Sequence, residues 1–345
     1  MSSALLVPSP AKQTNLAAAN VEPDKTGEII HSAFGPETLS WRGLDRTVTM
    51  FLVAVHLGSL AAPFFFSWPG LIACVALHWL TCSIGICLGY HRYLAHKSFK
   101  LRAPGEFFVM FCAAISGQGS PVRWAAVHRL HHHKSDLPGD PHTPLDGTWW
   151  SHLLWLFPGL NSGQTEALDD RYVPELQDRP IVMFFERTYA LWLWGFGLVL
   201  LGSGWLYGGW ELGVSMVLWG MCVRLVISYH STWFVNSATH LWGYRNYETR
   251  DDSRNLWWVA ILSYGEGWHN NHHAYPSVAP SGHRWWELDM TWFAIRLLRA
   301  CGLAYDVRDR ISSSTSAPDV PARQSRSEPA ANPPQSVAAQ SQVSV

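Results

Sequence analysis

The chain has 345 residues, of which 48% are hydrophobic and only 15% are charged, and 20 of them are tryptophan. Its 25 Lys and Arg residues and 26 Asp and Glu residues give a net charge of −1, which argues against a nucleic-acid-binding protein. Six scattered cysteines form no C-x-x-C pair, so neither a disulfide framework nor a zinc ribbon is predicted.

The two ends of the chain differ in composition from its body. They are rich in Ser, Ala, Pro, Gln and Val and nearly free of aromatic residues. Such segments bury too little apolar surface to offset the entropy of ordering. We therefore predict disordered tails at residues 1–35 and 311–345, around one domain at residues 36–310. No signal peptide is evident at the N-terminus.

Four apolar segments are each about 20 residues long, the length that a helix needs to cross a bilayer. They are predicted to be transmembrane helices, in chain order, at residues 47–66, 70–90, 183–206 and 212–235. The alternative is four buried helices of a large soluble protein. That alternative is disfavoured because soluble helices seldom stay this apolar on every face.

The distribution of basic residues predicts the orientation of these segments. The turns inside the two pairs, around "SWPG" and "YGGW", contain no Lys or Arg, whereas residues 91–182 contain nine. The positive-inside rule then places both short turns outside the cell and both termini in the cytoplasm. We expect a multi-pass membrane protein with its histidine-rich stretches on the cytoplasmic side.

Three histidine clusters follow or separate the apolar segments. "HRYLAH" contains His91 and His96, and "HRLHH" and "HNNHH" share the pattern H-x-x-H-H. Because positions i, i+3 and i+4 lie on one helical face, each triplet is predicted to point three imidazoles at a common point. His91 and His96 are five positions apart, about 140° on an ideal helix, so their convergence needs a helix end or a distortion.

Eight converging imidazoles are best explained by bound metal, since imidazole suits iron, copper, zinc and nickel. The eight predicted ligands are His91, His96, His128, His131, His132, His269, His272 and His273. A zinc site needs only three or four ligands, so eight suggest two metal ions. His133 points about 100° away from His132 on a helix and is a weaker candidate. A single histidine would more simply be a hydrogen-bonded structural residue, an interpretation kept for His56, His78 and His230.

The motifs "HRYLAH", "HRLHHHKSDLPGDPH" and "GEGWHNNHHAYP" together resemble the membrane fatty acid desaturases, specifically the stearoyl-type Δ9 group. The resemblance covers roughly residues 40–310 and includes "NSATHLWGYRNYETRDDSRN" at residues 236–255. It implies an all-α membrane protein, with four transmembrane helices under a cytoplasmic helical cap that holds a histidine-ligated di-iron site. The apolar runs at 105–117 and 148–160, and the amphipathic segment at 284–300, would then be cap or interfacial helices.

The resemblance also implies the roles of further residues. It adds His240 as a ninth metal ligand and Asn236 as a residue that reaches a metal through water. Gln118 and Trp124 occupy positions that line the family's substrate tunnel. Two carboxylates, Glu266 and Asp140, are candidates to hold imidazole N–H groups; His142 and His152 are weaker candidates for the same outer position. From helical direction alone, Cys87 and Ile84, which lie one and two turns before His91 respectively, are predicted to line the closed end of the tunnel.

By resemblance, the reaction uses two iron ions and O2 to introduce a cis double bond, with Δ9 as the expected position, into a saturated acyl chain. The electrons must come from a separate ferredoxin, b-type cytochrome or reductase. One departure concerns the substrate. The family's animal enzymes carry a charged pair that grips coenzyme A just before H-x-x-H-H, where this chain has Ala126 and Val127. The string "HNNHHAYP" and the overall spacing look more like bacterial and cyanobacterial members, some of which use acyl chains bound to glycerolipids, and this likeness implies a bacterial inner membrane. The choice between acyl-CoA and acyl-lipid therefore stays open.

Two alternatives to a desaturase remain. Alkane and lipid hydroxylases share the three histidine boxes and differ only in the fate of the substrate radical. A metal-binding membrane transporter is the alternative from another class. It would place its ligands near the middle of the membrane, whereas these histidines follow the ends of the predicted spans.

Overall fold

The protein is mostly helical in a computed structural model that describes residues 25–311. Twelve α-helices lie among these residues: α1 Lys25–His31, α2 Arg46–Ala61, α3 Trp68–His78, α4 Ala103–Ala114, α5 Pro121–Lys134, α6 Thr148–His152, α7 Ser162–Tyr172, α8 Pro180–Val217, α9 Arg224–Leu241, α10 Trp257–Leu262, α11 His269–Ala274 and α12 Met290–Ala300. Short 3-10 helices span Pro36–Thr38, Ala62–Phe65, Pro144–Asp146, Leu154–Leu156 and Pro174–Leu176. Two strands, β1 Lys100–Leu101 and β2 Ala304–Tyr305, pair antiparallel.

Three helical stretches of the described chain are long and apolar enough to cross a membrane: Arg46–Phe65, Trp68–Ala95 and Pro180–Leu241. Many of their large apolar side chains face outward; Leu57 is 60% exposed and Leu206 is 88% exposed. Water would penalise such a surface, whereas lipid would not. The first two stretches correspond to the first two predicted spans.

The third stretch contains both of the remaining predicted spans. It has 62 residues, far more than one crossing of the hydrocarbon layer needs. Its backbone leaves helical geometry at Gly208 and Gly209, where Gly209 has a φ of 77° that favours glycine. The arms on either side of this break pack together, since a Cβ on Gly204 would lie 2.7 Å from the Cα of Gly213. The chain therefore reverses direction at the predicted "YGGW" turn.

A π-helix continues α3 over Trp79–Ala95, and its residues 81–95 are all buried. α4 and α5 pack against this π-helix, and so does α12 from the C-terminal part of the chain. The π-helix thus carries the end of the second apolar stretch into the centre of the histidine-rich half of the molecule.

The predicted end of the N-terminal tail at residue 35 is wrong. Residues 25–31 form α1, which packs against α7, and Ile30, Ala33 and Phe34 are buried in the main hydrophobic core. Burial of these three apolar side chains stabilises a segment that composition alone assigns to the tail. The remainder of the predicted N-terminal tail, and the predicted C-terminal tail after residue 311, lie outside the described residues.

Candidate metal centre

The distortion predicted after the second apolar segment is present. Because a π-helix forms hydrogen bonds between residues five apart, it brings positions i and i+5 onto one face. The backbone N–H of His96 donates to the carbonyl of His91 over 3.0 Å, and the centres of their two rings are 4.8 Å apart. The π-helix is therefore the local feature that lets "HRYLAH" present both imidazoles to one point.

The two H-x-x-H-H triplets lie on α5 and α11, as their spacing predicts. The expectation that each triplet meets at one point is wrong. On α5, His128 and His132 join one group of histidines, whereas His131 joins another. Residues four apart on a helix lie about 40° from each other, but consecutive residues lie about 100° apart. The pair at i and i+4 therefore faces one point, and the member at i+3 faces a second one; α11 divides in the same way.

The first group contains five histidines from three segments of the chain. They are His91, His96, His128, His132 and His272. One ring nitrogen from each residue lies within 4.8 Å of those of all the others. The Nε2 atom of His272 is 3.1 Å from Nε2 of His91 and 2.9 Å from Nε2 of His132, so the imidazole tips converge.

The second group contains four buried histidines. They are His131, His240, His269 and His273. Their ligand atoms also lie within 4.8 Å of one another, and Nε2 of His269 is 3.1 Å from Nε2 of His240. His240 comes from the end of α9, so the residue identified by resemblance alone completes this group.

Carboxylates hold the outer nitrogens of both groups. Glu266 Oε2 lies 2.7 Å from Nδ1 of His91, and Asp140 Oδ1 lies 2.9 Å from Nδ1 of His131. These are the two carboxylates singled out in the sequence. When Nδ1 carries the proton toward a carboxylate, Nε2 keeps its lone pair and is free to bind a metal.

Two further carboxylates of this kind were missed from the sequence. Asp136 Oδ2 lies 2.9 Å from Nδ1 of His240, and Asp251 Oδ2 lies 2.8 Å from Nδ1 of His273. Both residues occur in loops, as part of "HKSD" and "RDDSRN". Nothing in their local pattern separates them from surface acids, because the histidines that they hold are 104 and 22 residues away.

The inward-facing nitrogens fit a metal ion. The Nε2 atoms of His131 and His273 are buried and have no hydrogen-bond partner. A buried polar atom without a partner costs about 1–3 kcal/mol, which coordination to a metal would recover. The donor set also fits, since nine imidazoles in two groups suit transition metals.

Burial keeps five of the nine imidazoles in the form that binds metal. Burial is the largest cause that lowers the pKa of these five imidazoles well below the ordinary value of histidine. Neighbouring imidazoles lower each pKa further. The five are His96, His128, His132, His269 and His272. Neutral imidazole is the ligand form, so none of these five has to lose a proton before metal binds.

The Glu266 carboxylate stays charged although it is buried. Burial alone would raise its pKa, but Arg92 and His91 lower it to about 2. Arg92 is itself 1% exposed and donates to Glu266 over 2.8 Å and to Asp289 over 2.8 Å. This network fixes Glu266 against His91 and ties the π-helix to the segment that precedes α12.

Two neighbouring residues lie outside the two groups. His133 is exposed and its Nδ1 lies 2.8 Å from the hydroxyl of Tyr172, so the structure turns this ring away from both groups. Asn236 lies one helical turn before His240 on α9 and is half-buried.

Two histidines considered for the outer position differ in placement. His142 lies beside His131, with ring centres 4.3 Å apart, and could share a metal site with His131 and Asp140. His152 instead contacts Ser237 and His230 and belongs to neither group of histidines.

The four residues predicted to line a tunnel lie in two different parts of the structure. Trp124 stacks on His128 with ring centres 5.1 Å apart, and its Nε1 donates to Gln118 Oε1 over 3.2 Å. Trp124 is therefore adjacent to the first group of histidines, and Gln118 contacts Trp124. Ile84 and Cys87 are buried in the π-helix, and the Cys87 thiol is 3.4 Å from the carbonyl of Ser263. Their role at the end of a tunnel stays a prediction.

Comparison with known proteins identifies one family. The family model for fatty acid desaturase matches residues 66–308. The chain is 46% identical over 276 residues to the sn-2 palmitoyl-lipid 9-desaturase of Nostoc sp. (strain 36), covering 80% of this chain and 94% of the relative. It is 41% identical over 262 residues to the sn-1 stearoyl-lipid 9-desaturase of Anabaena variabilis, covering 75% and 92%. It is also 41% identical over 268 residues to the palmitoyl-monogalactosyldiacylglycerol delta-7 desaturase of Arabidopsis thaliana, covering 78% and 70%.

Proposed function

Because the chain belongs to the fatty acid desaturase family and desaturates acyl chains, we propose that it introduces a cis Δ9 double bond into a saturated acyl chain carried on a membrane glycerolipid. The observation that carries this proposal is the pair of histidine groups at the ends of two of the three long apolar helical stretches. It combines a centre suited to redox metals with access to lipid.

Two observations favour a lipid-bound substrate over acyl-CoA. The similar cyanobacterial proteins are named for acyl-lipid substrates, and both names specify position 9. The two residues before the first H-x-x-H-H motif are Ala126, which is fully buried, and Val127. Neither side chain can pair with the phosphates of coenzyme A. The Δ7 relative shows that related chains can differ in double-bond position, so Δ9 needs a direct test.

We propose that the nine histidines hold two iron ions, with Asn236 reaching one of them through water. Bound iron would supply the redox chemistry with O2 that breaks unactivated C–H bonds, which no side-chain acid or base can do. The residues of the chain would bind the metals, orient the acyl chain and shield the site. Carboxylates fix the imidazole tautomers, and Trp124 and Gln118 position the acyl chain beside the first group.

The proposed membrane arrangement has four crossings. The arms of the long third stretch, on either side of Gly208 and Gly209, would be the third and fourth transmembrane helices. The histidine groups and both termini would lie in the cytoplasm under a cap formed by the remaining helices, in the inner membrane of a bacterium. The distribution of Lys and Arg in the sequence supports this orientation.

The product of the reaction tests the proposed function. The chain would be expressed in a host that lacks its own desaturase, and the lipids would be analysed by mass spectrometry with localisation of the double bond. We expect a cis Δ9 acyl chain in glycerolipids, and lipase digestion would show whether sn-1 or sn-2 carries it. A hydroxylated chain, or desaturation of acyl-CoA alone by the purified enzyme, would contradict the proposal.

Purified protein matured with iron should contain two irons per chain. The reason is that nine imidazoles form two separate groups, each large enough for one ion. Metal analysis measures the stoichiometry directly, and His269→Ala should reduce it because this ring belongs to the second group alone. A stoichiometry of one that His269→Ala leaves unchanged would contradict the two-metal centre.

Ile84→Trp and Cys87→Trp should shift the products toward shorter acyl chains. Both side chains are buried, so added volume must intrude on neighbouring space, at a cost of about 1–3 kcal/mol where no space exists. The measurement is the chain-length profile of the products, together with protein yield. Ile72→Trp is the matched control because Ile72 lies on α3 and is 65% exposed. A stable, active variant with the parental profile would remove that position from the tunnel.

A further inference from the structure

An open groove runs along the exposed face of α8 and is bounded on one side by α4. It has a volume of about 670 Å³ and is lined by Phe111 of α4 and by seven residues of α8. Aromatic rings form its wall, with the centres of Phe111 and Trp192 5.4 Å apart. Nε1 of Trp192 donates to the Thr188 hydroxyl over 3.1 Å, so the polar group of this ring already has a partner. This surface, which we call the α8 groove, therefore suits an apolar ligand.

The α8 groove is about as long as one leaflet of a bilayer is deep. From Thr188 to Val199 the helix rises about 16 Å, at 1.5 Å per residue. Half of a hydrocarbon layer about 30 Å thick is about 15 Å. Gly195 leaves the middle of the groove open, because a Cβ at this position would meet no atom within 4 Å. One acyl chain of a membrane lipid therefore fits the groove in length.

A polar cleft continues the α8 groove at the start of the helix. The cleft has a volume of about 450 Å³ and shares two lining residues with the groove. Three charged residues line it: Asp178, Arg179 and Arg187. Arg179 is already paired with Glu106 over 2.5 Å. Asp178 and Arg187 are both exposed, and within residues 25–311 neither side chain forms a hydrogen bond or an ion pair. The cleft thus presents one carboxylate and one guanidinium to a ligand.

These two charges fit the head group of a zwitterionic phospholipid. A guanidinium binds phosphate through paired N–H donors, and a carboxylate binds an ammonium group. Because Asp178 and Arg187 do not pair with each other, a ligand that carries both a phosphate and an amine would satisfy both side chains at once. Lipid tails alone could cover the α8 groove, but they would leave both charges in the cleft without a partner. The combined surface therefore matches a lipid in its head group as well as in its chain.

α8 separates this groove from the proposed substrate tunnel. On the inner side of the helix, Phe185 is fully buried, and Glu186 accepts from the backbone N–H of Val122 over 2.9 Å. Val122 lies in the first turn of α5, the helix that carries Trp124 beside His128. The α8 groove is thus a second surface for lipid, on the far side of the helix that supports the tunnel.

We propose that the α8 groove and its polar cleft bind one phospholipid with an amine-bearing head group, phosphatidylethanolamine. Its phosphate contacts Arg187, its ammonium group contacts Asp178, and one of its acyl chains lies beside Trp192 and Gly195. This lipid is separate from the acyl chain that reacts. The inference uses the proposed membrane arrangement, in which α8 begins at the cytoplasmic surface, and it does not depend on the proposed reaction.

The experiment titrates the full chain, purified in detergent and freed of lipid, with palmitoyl-oleoyl phosphatidylethanolamine and counts bound lipid by native mass spectrometry. We expect one tightly bound lipid per chain. Gly195→Trp, which fills the groove, and Arg187→Glu, which repels the phosphate, should each raise its Kd roughly tenfold. Gly202→Trp is the matched control: Gly202 lies two turns further along the same face of α8, a Cβ there also meets no atom within 4 Å, and it does not line the groove.

Asp178→Asn tests the head group. It should weaken the binding of phosphatidylethanolamine and leave the Kd for phosphatidylglycerol, which has no amine, unchanged. Tighter parental binding of phosphatidylglycerol than of phosphatidylethanolamine would overturn the zwitterionic ligand.

The remaining outcomes decide whether the site exists. An unchanged Kd for phosphatidylethanolamine in both Gly195→Trp and Arg187→Glu overturns it, and so do several lipids bound with equal affinity, because bulk lipid alone would then cover the groove. Since Arg187 is exposed, its replacement should not disturb folding, and a melting curve of each variant checks this. One lipid that both variants lose and Gly202→Trp keeps, in a protein that forms no desaturated product, would support the site and contradict the proposed function.

Discussion

Replacing His132 with alanine should abolish desaturation, whereas replacing the adjacent His133 should leave at least half of the parental rate at saturating electron donor. His132 Nε2 lies 2.9 Å from Nε2 of His272 inside the first histidine group. The His133 ring is exposed and contacts the Tyr172 hydroxyl. The two residues differ by one position and carry the same side chain, so the comparison isolates the direction in which each ring points.

Product formation and metal content would be measured on both purified variants, with a thermal melting curve for each. His132→Ala should also lose bound iron, and added imidazole should restore part of the activity by filling the space left by the ring. Rescue of this kind separates a ligand from a residue that only supports the fold. Equal loss of activity in both variants, at equal thermal stability, would contradict the assignment of ligand and neighbour.

The sequence correctly predicts which histidines come together, but not how these histidines are divided between two groups. The spacing of H-x-x-H-H correctly places each triplet on a helix, and the five-residue spacing of His91 and His96 correctly requires a distortion. The division of each triplet between two groups follows from the 100° between consecutive residues. It could have been read from the helical wheel once two metals were considered, because a single point cannot be faced equally from positions i+3 and i+4.

Other parts of the site depend on contacts that local pattern does not contain. Asp136 and Asp251 lie in loops, and their roles arise from histidines brought to them by the fold. Residues 25–35 look like tail by composition, yet they contribute Ile30 and Phe34 to the core. Tertiary packing decides both the role of these two carboxylates and the placement of residues 25–35. Composition and short-range periodicity do not contain that information.

Asp251→Asn should weaken metal binding in the second group by about 10–100-fold, the usual effect of losing a carboxylate behind a ligating histidine. Burial alone would raise the pKa of the Asp251 carboxyl, but His273 holds it well below its usual range, so it is a carboxylate that accepts from Nδ1. Its other oxygen already accepts from three donors: the Ser253 backbone N–H over 3.1 Å, the Ser253 hydroxyl over 2.5 Å and the Thr249 hydroxyl over 2.9 Å.

Those contacts decide which way the asparagine would point. Its carbonyl oxygen would keep the three donors, so its NH2 group would face Nδ1 of His273. That nitrogen would then have to accept, and the ring proton would move to Nε2, the atom that must bind the metal. At limiting iron we therefore expect a stoichiometry near one per chain, with a fall in desaturation of about 10–100-fold. Asp309→Asn is the control, since Asp309 pairs with Arg299 at the surface. Two tightly held irons and a parental rate in Asp251→Asn would show that this carboxylate does not set the tautomer of His273.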